Sequence, residues 1–102
     1  IQVDSIKQVN AANLSVLEGR EPQFENMVQF FTENQFSLLK AIAKDSIVAK
    51  PTSGKFIKEH KLSGASSVKA ALKILEDKEL VYRTNEGYVI YDRFMDLWLK
   101  RI

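Results

Sequence analysis

Residues Ser63–Ile102 read SGASSVKAALKILEDKELVYRTNEGYVIYDRFMDLWLKRI. A Ser-Gly turn opens the stretch, with Ser63 standing where a helix N-cap would. Val68, Ala71, Leu72 and Leu75 follow at i, i+3, i+4 and i+7, the apolar stripe of an amphipathic helix that runs to about Lys78. Leu80–Thr84 and Tyr88–Tyr91 are then rich in β-branched and aromatic residues, which suit a pleated, half-buried surface. Asn85-Glu86-Gly87 separates them. This spacing predicts a three-residue loop built on a type I turn, with Gly87 supplying the positive φ that other residues resist. Asp92 is placed to cap a last helix whose Phe94, Leu97, Trp98 and Ile102 would cover the sheet.

Upstream, the pattern continues in kind. Asp4–Leu17 carries Ile6, Val9, Leu14 and Leu17 among polar residues and reads as a helix, punctuated by Gly19 and Pro22. A short helix from about Pro22 to Phe31 would present Phe24, Met27, Val28 and Phe31 on one face. Thr32-Glu33-Asn34-Gln35 has the form of a capping box, opening a helix to about Lys44 that buries Phe36, Leu39, Ile42 and Ala43. Ile47-Val48-Ala49 is extended and could add a third strand. Pro51 enforces extension at Lys50, and Thr52 or Ser53 caps a helix to His60, with Phe56 and Ile57 pointing inward. The fold class is mainly α with a small β-hairpin (α+β). Residues 32–102 form a winged helix-turn-helix domain; two short helices precede it in a helical lid or linker segment, residues 1–31.

Composition narrows the function. In 102 residues there is room for one domain, and 45% apolar with 27% charged residues is the balance of a folded chain. The absence of cysteine removes disulfides, thiolate catalysis and Cys-based zinc sites, and fits a reducing compartment. No apolar run reaches the ~18 residues that span a bilayer, and no signal-peptide pattern opens the chain, so a cytoplasmic location is expected. The start at Ile1 suggests a piece of a larger protein. His60 is the only histidine and suits a surface position near a helix end, so no metal site is expected. Glu76-Asp77 and Glu79, interrupted by Lys78, read as a solvated helix end and not as a general acid/base pair or a metal site. No catalytic set emerges, no small-molecule substrate is implied, and the chain reads as no enzyme.

From Thr32 to the end, the chain resembles the C-terminal winged-helix region of archaeal-type, STAND/AAA-related P-loop ATPases. The resemblance rests on Gln35-x-x-Leu38-Leu39-Lys40-Ala41-Ile42-Ala43, Pro51-Thr52-Ser53, Ser66-Ser67-Val68-x-x-Ala71-Leu72-x-x-Leu75 and Leu80-Val81-Tyr82. Tyr91-Asp92-Arg93-Phe94-Met95-x-Leu97-Trp98-Leu99 is its most specific part. It implies that residues 1–31 are the last helices of a lid, and that ATP and Mg²⁺ belong to an upstream domain. No cofactor is expected in this chain. Ser53-Gly54-Lys55 superficially matches the end of a phosphate-binding loop, but Ala49 stands where that loop needs Gly and Phe56 where it needs Ser or Thr.

The remaining chemistry is electrostatic. Residues 1–45 carry four Lys/Arg against six Asp/Glu, a net −2; residues 46–102 carry eleven against seven, a net +4. In a helix-turn-helix the third helix enters the major groove, and its N-terminal turn can donate to phosphate. Ser66, Ser67, Lys69 and Lys73 lie off the buried stripe there, joined by Lys55, Lys58 and Lys61 and by Arg83 on the wing. These eight are the candidate nucleic-acid-binding residues. The helix offers no Arg, Asn or Gln for bidentate base reading, and Glu86 at the wing tip would repel phosphate. Two readings follow: weak, largely non-specific binding of double-stranded DNA, or a protein-interaction and regulatory module packing on its own upstream ATPase domain or on a partner protein.

Overall fold

A computed structural model describes residues 19–102. Helix α1 covers residues 19–28, followed by α2 (Glu33–Asp45), α3 (Gly54–Glu59), α4 (Ala65–Asp77), β1 (Val81–Arg83), β2 (Tyr88–Ile90) and α5 (Arg93–Arg101). The order is that of a winged helix, mostly helical with one antiparallel hairpin. The helix expected over Asp4–Leu17 lies outside the described residues. Gly19 is already helical, so the break expected between Gly19 and Pro22 is absent.

Helix α2 is the centre of the molecule and packs on α4, α5 and β2. Leu38, Leu39, Ala41, Ile42 and Ala43 are buried along it, and Leu75, Met95 and Leu99 close around them. Removing a Leu-sized side chain from water stabilises a fold by roughly 2 kcal/mol, so this cluster is the main source of cohesion. Phe24 of α1 belongs to the same core, fully buried, with its ring centroid 5.5 Å from that of Trp98. Two ion pairs join α1 to α5: Arg20 with Asp92, and Arg101 with Glu21 at 3.1 Å. The Arg20 guanidinium also lies 4.8 Å from the Phe24 ring centroid.

The helix ends follow local chemistry. Thr32 and Gln35 form the full capping box, with Thr32 Oγ1 accepting from the Gln35 amide at 3.2 Å and Gln35 Oε1 from the Thr32 amide at 3.1 Å. Ser53 Oγ accepts from the Phe56 amide at 3.3 Å, and Asp92 Oδ1 from the Phe94 amide at 2.8 Å. Helix α4 departs from expectation. Its N-cap is Gly64, with no side-chain cap, because the Ser63 hydroxyl donates to Asn34 Oδ1 on α2 at 2.8 Å. Tertiary contact has taken the hydroxyl that local sequence assigns to the cap. Helices α3 and α4 both close in Schellman motifs, in which Leu62 and Leu80 amides donate to Ile57 and Leu75 carbonyls at 2.9 and 3.0 Å. The left-handed positions there hold Lys61 (φ 55°) and Glu79 (φ 60°) rather than glycine. Ile102 is half exposed at the end of α5 and does not cover the sheet.

In the hairpin, Val81 pairs with Ile90, Tyr82 with Val89 and Arg83 with Tyr88. Thr84 and Gly87 exchange two further backbone hydrogen bonds, at 2.7 and 3.3 Å, so the loop is Asn85-Glu86 alone and shorter than expected. Gly87 keeps its positive φ, 146°, as a paired residue. The third strand exists as a single antiparallel bridge. Val48 and Tyr88 exchange amide–carbonyl bonds of 3.0 and 2.8 Å, in which each amide donates to the other's carbonyl. After α2, Ser46 (φ 70°, ψ −51°) brings the Ile47 amide 2.8 Å from the Asp45 carbonyl, a tight γ-turn that aims Val48 at the wing.

Candidate nucleic-acid interface

Helix α4 sets the surface. Its apolar stripe of Val68, Ala71, Leu72 and Leu75 is buried, which turns Ser66, Lys69, Ala70 and Lys73 outward by helical geometry. All four are exposed, while Ser67 is half-buried against α2. Because Gly64 brings no side chain to the helix start, the first-turn amides carry no side-chain cap. A backbone N–H set of this kind, at the positive end of a helix, can donate to a phosphate oxygen.

Lys55 and Lys58 are exposed on α3, and Lys61 sits just past its C-terminus. The left-handed backbone at Lys61 turns the chain toward α4 and leaves its side chain in water. Lys61 and Ser67 line one polar pocket of about 150 Å³ with Glu33 and Asn34 of α2. Glu33 adds a carboxylate to that lining and weakens the pocket as an anion site. None of the five lysines, nor Arg83, joins an ion pair among the described residues. Arg83 is exposed, but strand alternation puts it on the same face as Val81, and its guanidinium lies 6.0 Å from the Tyr88 ring centroid.

The face is not uniformly basic. Glu76 lies one helical step beyond Lys73 on the same side of α4, and Glu79 follows in the left-handed turn; both are exposed. Positive charge therefore occupies the middle of the outward face, at Lys69 and Lys73, and negative charge its C-terminal end, nearest the hairpin. Glu86 adds an exposed carboxylate in the wing loop.

Two features escaped sequence reading. His60 is paired with Asp45 across α2 and α3, with Nε2 3.0 Å from Oδ1, and its ring packs 4.8 Å from that of Phe56. With Glu59, the three side chains bring potential ligand atoms within 4.8 Å of one another, though Asp45 and Glu59 are exposed and His60 and Asp45 already satisfy each other. No local signal links Asp45 to His60; only the packing of α3 on α2 does. The second is the aspartate at the start of α5. Burial acts to raise the Asp92 pKa, but the Arg20 hydrogen bond and the Met95 and Phe94 amides outweigh it and hold the carboxyl below its ordinary range.

The Ser53-Gly54-Lys55 run is spent on structure, since Ser53 Oγ caps α3. No helix among the described residues is long and apolar enough to cross a membrane. Neither the curated proteins nor the solved structures compared with the chain yield a match. One family model, described as "Probable winged helix domain", matches residues 22–101, most of the chain and all of the elements from α2 to α5. With helix, helix, helix, hairpin and closing helix in that order around one core, the chain belongs to this winged helix domain family.

Proposed function

We propose that this winged helix is a non-catalytic, cytoplasmic domain of a larger P-loop ATPase, and that it binds double-stranded DNA weakly and largely without sequence preference. The observation that carries the DNA reading is the outward face of α4, where exposed Ser66 and Lys69 stand near first-turn amides with no side-chain cap and exposed Lys73 follows one turn beyond Lys69. Lys55, Lys58 and Lys61 extend the charge along α3. Contacts of this type neutralise phosphates and release counterions, while the lack of Arg, Asn or Gln on the helix face leaves bases unread. Fluorescence anisotropy of a labelled duplex against salt tests it. About four phosphate contacts give a log K against log[salt] slope of about −3.6, and Lys69→Ala and Lys73→Ala each reduce its magnitude by about 0.9. Absence of binding at low salt defeats the reading.

A second reading is an interaction module that docks on the upstream ATPase domain or a partner protein. It is favoured by the acidic C-terminal end of α4's outward face, where Glu76 and Glu79 would oppose a phosphate backbone. In either case ATP and Mg²⁺ belong to the upstream domain. A reading frame encoding a GxxxxGK[ST] loop ahead of Ile1 tests the parentage, and ATP turnover by these 102 residues alone would contradict the non-catalytic assignment.

A further inference from the structure

Between the last turn of α4 and the base of the hairpin lies a groove of about 340 Å³, lined by Glu76, Glu79, Val81, Tyr82 and Tyr91. Val81 is buried. Tyr82 and Tyr91 are 46% and 70% exposed. Their rings meet edge to face, with centroids 5.8 Å apart and planes 75° to each other. Neither Glu76 nor Glu79 joins an ion pair among the described residues.

Two aromatic faces beside two carboxylates define the complementary ligand by charge. Ring quadrupoles and carboxylates both attract a cation and repel phosphate. The two rings present flat surfaces steeply inclined to each other, and the carboxylates supply acceptors for several N–H donors. A guanidinium is planar, stacks on aromatic faces and donates in a fork to carboxylate oxygens, which an ammonium does not. A free amino acid would gain only these few contacts, whereas a protein adds the surface around its side chain. We infer that this groove docks an arginine side chain of a partner protein. The inference deepens the interaction-module reading and uses none of the basic residues assigned to DNA.

Heteronuclear NMR of the full 102-residue chain tests it, with the capped tripeptide Ac-Ala-Arg-Ala-amide as probe and its citrulline and lysine counterparts as controls. The arginine peptide should shift Glu79, Tyr82 and Tyr91 resonances saturably. The uncharged citrulline peptide should bind roughly tenfold more weakly, and the lysine peptide several-fold more weakly. Tyr91→Ala should weaken arginine binding about threefold, Tyr91→Phe should preserve it, and Glu76→Gln with Glu79→Gln should weaken it and remove its salt dependence. Equal binding of citrulline or lysine, or no saturable shift, overturns the inference. So do shifts at these residues that grow with protein concentration alone, which would make the occupant a second copy. Duplex affinity unchanged in Tyr91→Ala keeps this test separate from the DNA test.

Discussion

At Gly87 a Cβ atom would lie 2.6 Å from the Val48 carbonyl oxygen and 2.8 Å from the Ala49 nitrogen, all of it backbone that cannot swing aside. Its φ of 146° adds a second penalty for any side chain. Gly87→Ala is therefore expected to cost roughly 1–3 kcal/mol in urea denaturation and to speed hydrogen exchange at the Val48 and Tyr88 amides. Asn85-Glu86-Gly87 announced the positive φ from sequence alone. The close approach of Val48 had no such signal, because it depends on where α2 releases the chain. Glu79 offers the opposite experiment. It holds a left-handed position that glycine takes without strain, so Glu79→Gly should stabilise the fold by about 0.5–1 kcal/mol. If the groove serves as inferred, the same change should weaken arginine-peptide binding. Stability and recognition then pull in opposite directions at one residue.

Among the elements, helix caps show where local sequence reading holds and where it fails. Thr32 and Gln35 are neighbours in sequence and their reciprocal bonds need no other part of the fold, so their box was legible. Ser63 was misread because Asn34, on another helix, captures its hydroxyl. Thr32→Ala should accordingly cost about 1 kcal/mol, and Ser63→Ala should leave the α4 start intact while removing only the tie to α2. Helix α5 depends on Asp92, whose carboxylate caps the helix and binds Arg20. Arg20→Ala should destabilise by roughly 1–2 kcal/mol near neutral pH. The sign with pH follows from the direction of the shift. Folding lowers the Asp92 pKa, so its contribution is full above the ordinary aspartate value near ~4 and disappears as pH falls through the lower folded value. Chemical denaturation of wild type and Arg20→Ala at neutral and acid pH should show their difference narrowing below about pH 4.

Across the molecule, periodicity carried most of the fold. The stripe of α4, the β-rich hairpin and the aspartate before α5 each follow a local rule and appear where it places them, whereas the stripe of α2 is shifted, with Leu38 and Ala41 buried and Phe36 only half-buried. Juxtaposition was not legible. Tyr82 and Tyr91 are diagonal neighbours across the hairpin, but nothing in the order of residues brings Glu76 and Glu79 around them, or Asp45 to His60, because those neighbours meet only once the helices have packed. The exposed lysines of α4 could be read, since a buried stripe defines its own opposite face. The reversal of charge along that face was present in the sequence as Glu76-Asp77-x-Glu79, but only the path of the helix into the hairpin makes it one edge of a groove. Phe24 belongs to the same interior as Trp98, so Phe24→Ala should cost about 3–5 kcal/mol. Far-ultraviolet and tryptophan signals should still report a single cooperative transition.

The two ionic clasps between α1 and α5 give the domain a mechanical property. Arg20 grips Asp92, just past the wing, and Arg101 returns from the far end of α5 to Glu21, the residue next to Arg20. Tension applied to the backbone at Gly19 would thus reach the root of the hairpin through a guanidinium instead of along the seventy-odd intervening residues.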